Sequence, residues 1–203
     1  MNSRNNFDNA QEKEIINYLD ENQKVIGSIE RKKAIETGAL LQAVQLWIIN
    51  PKTKQVLMQK RAIKSKNDAG MIDVSTSGHI KEGETPIQAV LREALEEINL
   101  PREILFSKLQ TIRQIEVDFT KLGRKGKYVT YEYLAYLDYP LGFYKKQDEE
   151  VDDLFFMSYE ELKEKIRDKD KNMRIPYLEQ TECLFKDIDK NLENITNKQL
   201  EKE

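Results

Sequence analysis

Glu93, Glu96 and Glu97 stand at i, i+3 and i+4 in the run PIQAVLREALEEINL. On a helix this spacing puts the three carboxylates on one side. Like charges so placed repel by about a few tenths of a kcal/mol per pair on an exposed helix. The negative end of the helix dipole adds to that cost, because the cluster lies near the helix C-terminus. A hard divalent cation that takes carboxylate oxygens would neutralise the cluster; on spacing alone, a solvated acidic face is the alternative. Arg92 directly precedes the first carboxylate and can orient it by a bidentate pair.

A helix must carry these groups, and its ends are written in the sequence. Thr85 suits the N-cap, Pro86 the first helical position, and Gln88 completes a capping box. The expected helix runs from about Pro86 to about Ile98, with Ile87, Val90, Leu91, Ala94, Leu95 and Ile98 as its apolar stripe. Asn99 then takes the left-handed cap position, where Asn is the best residue after Gly.

The rest of the chain reads mainly as strands. Glu14 to Leu19 and Lys24 to Glu30 form a pair around the turn Asp20-Glu21-Asn22-Gln23, and Arg31 to Gly38 is a turn or short helix. Leu41 to Ile49 is the strongest strand, and Asn50-Pro51-Lys52-Thr53 breaks it. Gln55 to Arg61 returns as its hairpin partner, with two unlike faces. Ala62 to Gly70 is a basic loop, and Met71 to Ile80 is a short strand ending at Gly78 and His79. Leu105 to Phe119 and the tyrosine-rich Tyr128 to Asp138 are two strands about KLGRKGK, and Val151 to Met157 is another. The tyrosines suit a core better than a base-stacking surface. Ser158 opens a capped helix to about Arg167, and Tyr177 to about Leu192 is a last helix with Leu178, Leu184, Phe185, Ile188 and Leu192 as its apolar positions. Cys183 on that helix is expected to be buried and inert.

Gly78, Glu84, Arg92-Glu93 and Glu96-Glu97 are separated by five, seven and two residues in GHIKEGETPIQAVLREALEEINL. This stretch resembles the signature of the Nudix hydrolase family. Two positions depart from it: Ala94 is smaller than the usual aliphatic residue, and Asn99 replaces a glycine. The resemblance implies an α/β fold of the Nudix type, an α/β/α sandwich with a curved mixed sheet, here followed by a C-terminal helical extension. Residues 1–11 are polar and Asn-rich and read as a disordered N-terminus; the resemblance then sets a Nudix domain at 12–168, followed by the extension at 169–203.

The resemblance also implies the chemistry. A divalent cation lowers the charge barrier of a diphosphate, activates a water and orients the leaving group. Glu93, Glu96 and Glu97, with the carbonyl of Gly78, are implied as ligands of Mg²⁺ or Mn²⁺. Arg92 would orient Glu93, and Glu84 would tie loop to helix. A glutamate on a late loop serves as base in many family members. Glu149 or Glu150 occupies that part of the chain, Glu150 being the choice here, although DEEVDD also reads as solvated surface. Arg61 and His79 are the candidate substrate contacts. Lys60 and Arg61 also fit a snorkelling role, and His79 could simply close a strand edge.

Within the family, WIINPKTKQVLMQKRAIKSKNDAGMIDVSTSGHIKEGET and the preceding DENQKVIGSIERKKA are similar to enzymes close to isopentenyl-diphosphate isomerase. That isomerase needs a cysteine just before its helix and several histidines. IDVSTSGHI has no cysteine, and the chain has one histidine in total. The expected activity is therefore metal-dependent hydrolysis of a diphosphate bond in a nucleoside diphosphate linked to another moiety, or in a related compound. An isomerase-like enzyme and a silent binding module are the alternatives.

Composition bounds the partners. The net charge of −3 gives no global attraction to nucleic acid or anionic membrane. No apolar run reaches a membrane-spanning length, and the N-terminus lacks a signal-peptide core. A single cysteine allows no intrachain disulfide, in keeping with a cytoplasmic protein. The expected partner is a small-molecule diphosphate. The N-terminal strands and the last helix are the elements a homodimer would use.

Overall fold

The computed structural model describes residues 13–65 and 67–200, the last three by backbone alone. The expected disordered segment 1–11 lies outside the described residues.

Among the described residues, β3 (Leu40–Asn50) is the spine of a nine-stranded mixed sheet. One edge runs parallel to β8 (Lys127–Tyr136) along ten consecutive pairs, from Leu40↔Lys127 to Ile49↔Tyr136. The other edge is shared by three antiparallel strands in succession. β1 (Ile15–Leu19) pairs at Leu40 and Leu41. β6 (Thr76–His79) pairs from Ala43 to Leu46. β4 (Gln55–Arg61) pairs from Ile48 to Asn50. The sheet grows outward through β2 (Val25–Glu30) on β1, β7 (Leu109–Asp118) on β8, and both β5 (Ile72–Asp73) and β9 (Val151–Ser158) on β4. α1 (Arg31–Thr37) links β2 to β3.

The two-residue period of the strands sorts their side chains onto two apolar faces. Val44, Leu46 and Ile48 of β3, with Leu57 and Tyr133, pack beneath α2 (Pro86–Ile98) against Ala89, Val90, Ala94 and Ile98. Trp47, Ile49, Val56, Met58 and Leu134 pack on the opposite face. There they meet Leu162 and Ile166 of α4 (Tyr159–Arg167) and Leu184, Phe185, Ile188 and Leu192 of α5 (Glu179–Leu200). The helical extension expected at 169–203 thus supplies much of one hydrophobic layer. Among the described residues, no helix is long and apolar enough to cross a membrane.

Several elements differ from the sequence reading. The expected strand at Met71–Ile80 is split into β5 and β6 by Val74-Ser75. The Ser75 hydroxyl accepts from the Ile48 amide (2.8 Å) and donates to the Leu57 carbonyl (2.6 Å), so it wedges between β3 and β4 where they part. Leu105 and Phe106 belong to a short helix, α3 (Arg102–Phe106), which Pro101 introduces, and the strand starts only at Leu109. Ile87 and Leu95 of the expected stripe are exposed, because the buried face runs along the rows Ala89-Glu93-Glu97 and Val90-Ala94-Ile98 and is rotated away from them. Cys183 is exposed, not buried, since α5 buries Leu184, Phe185 and Ile188 and turns Cys183 to solvent. Of the tyrosines, Tyr133 is core, whereas Tyr128 opens onto the cleft described next.

Candidate active site

α2 delivers the carboxylates as its caps require. Thr85 accepts from the Gln88 amide, Gln88 accepts from the Thr85 amide, and Asn99 closes the helix at φ 53°, ψ 34°. The helix lies against β6, whose Gly78 is the point of closest approach. A Cβ on Gly78 would sit 1.9 Å from a Glu93 carboxylate oxygen, so no other residue fits there without moving Glu93.

Arg92 ties the motif together. Its Nε and Nη2 donate to the two oxygens of Glu84 (2.6 and 2.9 Å) in a bidentate pair. Nη1 reaches Glu93 (2.7 Å) and Glu96 (3.1 Å), and Nη2 also donates to the His79 carbonyl (3.0 Å). Burial lifts the Glu84 carboxyl, but the bonds from Arg92 and the Lys81 amide outweigh it and hold the group below its usual range. One guanidinium thus links the loop, the strand and two of the three helix carboxylates.

Glu97 stands apart from that arginine. It is buried and accepts from Gln59 (2.9 Å), Thr76 (2.5 Å) and more weakly the Ser77 amide (3.4 Å). Burial and repulsion by Glu150 push it up to about 7, against the pull of Thr76 and Gln59. Burial and repulsion by Glu97 likewise raise Glu93 well above the ordinary carboxylate range, despite Arg92. Glu150 is brought to this place by the loop before β9. The Lys145 and Gln147 amides donate to the carbonyls of Ile98 and Glu97, tying the loop to the C-terminal end of α2. Glu96 is half exposed and turned toward Arg92.

The donor set fits a divalent cation in chemistry: two buried carboxylates crowd each other and a third acid, and the crevice at Gly78 holds Glu93 in place. As the side chains stand, no three acidic, histidine or cysteine groups among the described residues converge on one point. Glu96 would have to swing from Arg92 to join the others.

These residues border an open cleft of about 990 Å³ lined by Gly78, His79, Glu93, Glu96, Glu150 and Arg61 among others. His79 pairs with Ala43 at the strand edge and also faces the cleft. Burial, and the nearby Arg31, Arg174, Arg92 and Arg61, hold its imidazole well below its usual range, so the ring is neutral at pH 7. Its Nε2 has no hydrogen-bond partner among the described residues, and its ring lies 5.6 Å from that of Tyr128. Lys60 is exposed, but Arg61 reaches into the cleft, with Nη1 3.8 Å from Asp73.

The cleft contains residues that sequence reasoning missed. Arg174, from the segment between α4 and α5, donates to Asp68 (3.0 Å) and to the fully buried Asp73 (2.6 Å). Arg124, from the β7–β8 loop, donates to the Arg174 carbonyl (2.8 Å). Gln59 and Thr76, which hold Glu97, were missed too. The one available signal was polar side chains inside otherwise apolar strands.

The NUDIX domain family model matches residues 39–177. The chain belongs to the Nudix family. An uncharacterised Nudix hydrolase of Clostridium acetobutylicum is 32% identical over 99 residues, 46% of this chain and 48% of the relative. Nudix hydrolase 3 of Arabidopsis thaliana is 30% identical over 141 residues, 66% of this chain and 18% of the relative. An isopentenyl-diphosphate Delta-isomerase of Pectobacterium atrosepticum is 33% identical over 82 residues, 40% of this chain and 45% of the relative. The chain therefore aligns with less than half of each of these relatives. In fold it is similar to the crystal structure of DR0079 from Deinococcus radiodurans, with TM-score 0.59 and 20% identity over 76% of this chain and 89% of the other.

Proposed function

We propose that this Nudix protein is a metal-dependent hydrolase that cleaves the diphosphate bond of a nucleoside diphosphate linked to another moiety, or of a related small molecule. The observation that carries the reading is that Glu93 and Glu150 line a cleft rich in arginine while Glu97, buried behind them, is under mutual repulsion with both. Such a cluster is costly when ionised and becomes favourable once a doubly charged cation joins it.

In this reading Glu93, Glu96, Glu97 and the Gly78 carbonyl hold Mg²⁺ or Mn²⁺. The bound ion supplies charge neutralisation at the diphosphate and acidifies a water. Arg92 keeps Glu93 aimed by its 2.7 Å bond while Glu84 anchors the guanidinium from behind. Glu150 accepts the proton of the attacking water. Arg61 and the neutral His79 contact the substrate from β4 and β6. The relatives named as hydrolases support this choice over the isomerase. So does the stretch before α2, which offers Ser75, Thr76 and Ser77 but no cysteine.

Hydrolysis of nucleoside diphosphate compounds, followed by product release, tests the reading. Activity should require Mg²⁺ or Mn²⁺. Glu97→Gln should cost about three orders of magnitude in kcat, as expected when several kcal/mol of transition-state charge stabilisation is lost. Unchanged turnover in that variant rejects the hydrolase reading. Conversion of isopentenyl diphosphate to its isomer would replace it with the other.

A further inference from the structure

Arg61, Arg124 and Arg174 line the same cleft as the carboxylates but come from β4, the β7–β8 loop and the segment before α5. Among the described residues, these three guanidiniums share two carboxylates, Asp68 and Asp73. Arg174 makes close bonds to both, whereas Arg61 and Arg124 stay 3.8 Å from their acids. Arg61 Nε has no hydrogen-bond partner among the described residues. Burial, and then the proximity of Arg174, lower the Arg61 guanidinium from its ordinary value, with Asp73 and Glu97 opposing. Arg124 is likewise lowered, by burial and then by Arg174, with Asp68 and Asp73 opposing. The group is cationic, under-paired and open to the cleft.

Ser77 connects this group to the carboxylates. Its amide donates to Glu97 (3.4 Å), while its hydroxyl donates to Asp73 (3.3 Å) and accepts from Arg174 (3.4 Å). One residue therefore separates the two charge centres. An anion held by the arginines lies beside a phosphate held by the carboxylates and their cation, not at a remote end of the substrate. Forked donors arriving from three directions match a phosphate monoester, which has two charges and three terminal oxygens. A diester has one charge and two free oxygens. Phe119, stacked under Arg124 with the guanidinium carbon 4.6 Å from the ring centroid, stiffens that side chain.

We propose that Arg61, Arg124 and Arg174 form a second anion subsite that receives a terminal phosphate, so the protein acts on compounds with an uncapped phosphate next to the scissile bond. This rests on the hydrolase reading for its chemistry but not for its binding.

Calorimetric titration of inorganic phosphate in EDTA tests the binding alone. The full chain should bind phosphate, Glu97→Gln should bind it as well, and Arg124→Gln should bind it about tenfold more weakly, a loss of about 1.4 kcal/mol. Lys125→Gln, which removes a neighbouring charge on the same loop, should have a much smaller effect. Circular dichroism confirms that each variant is folded. No binding by the full chain overturns the subsite, as does equal weakening by the two loop variants. With Mg²⁺ present, Arg124→Gln should lower kcat/KM for a nucleoside triphosphate more than for a nucleoside diphosphate sugar. Equal loss for both overturns the preference for an uncapped end. If neither compound is hydrolysed, the hydrolase reading fails, and the phosphate titration still decides the subsite.

Discussion

The two sides of the cleft are built on opposite electrostatic plans. On one side Glu93 and Glu97 are pressed together under poor compensation, and both are pushed toward their protonated forms. On the other, the fully buried Asp73 stays ionised, because Arg174 and Arg61 outweigh the burial that would raise it. The carboxylate side stores an electrostatic cost that a cation would relieve. The arginine side spends its charge on the fold and keeps only a remainder for a ligand. Removing charge should therefore have opposite effects on stability in the two places.

The largest stability effect is expected on the arginine side. Arg174→Gln leaves the charge of the buried Asp73 to the more distant Arg61, with neutral hydrogen bonds from the Ser77 hydroxyl and the Val74 amide, and should destabilise the protein by about 3 kcal/mol, as measured by urea unfolding. A smaller loss would mean that Asp73 takes up a proton or another partner.

On the carboxylate side the sign reverses and depends on pH. The folded-state value for Glu97, about 7, lies above its ordinary value of 4.5, so the folded metal-free protein keeps this proton to higher pH than the unfolded chain does. Its contribution is present below the unfolded value and lost as pH rises through about 7. Between pH 5 and pH 8 the metal-free protein should thus lose roughly 2 kcal/mol relative to Glu97→Gln. Comparing the two proteins in EDTA cancels the opposing titration of His79, whose lowered value destabilises the fold in acid. Parallel stability curves for the two proteins would show that Glu97 is not under strain.

The smallest effect isolates the helix from its charges. Asn99→Gly relaxes the left-handed cap and should stabilise by less than about 1 kcal/mol, equally at both pH values. A pH-dependent gain would mean that the cap and the carboxylates are coupled.

The same contrast explains what the sequence disclosed. Glu93, Glu96, Glu97 and Arg92 lie on one helix, where spacing fixes their relative directions, and α2 begins and ends where the capping residues indicated, although Glu93 and Glu97 turn inward while Glu96 stays half exposed against Arg92. The arginine side joins residues about a hundred positions apart, such as Arg174 and Asp73, and no local period records such a meeting. The split of Met71–Ile80 was equally hidden, because Ser75 answers to backbone groups on two other strands. The exposure of Cys183 shows the limit of composition: an apolar helix still needs one face for water.

The hydroxyl of Ser75 has a consequence beyond local bonding. It pins open the fork where β3 hands over from β6 to β4, and the next two residues, Thr76 and Ser77, grip Glu97 and the arginine cluster. Losing that single oxygen would leave the Ile48 amide and the Leu57 carbonyl unpaired beside the segment that holds both charge centres, so the spacing between Glu97 and Arg174 depends on a serine that bonds to neither.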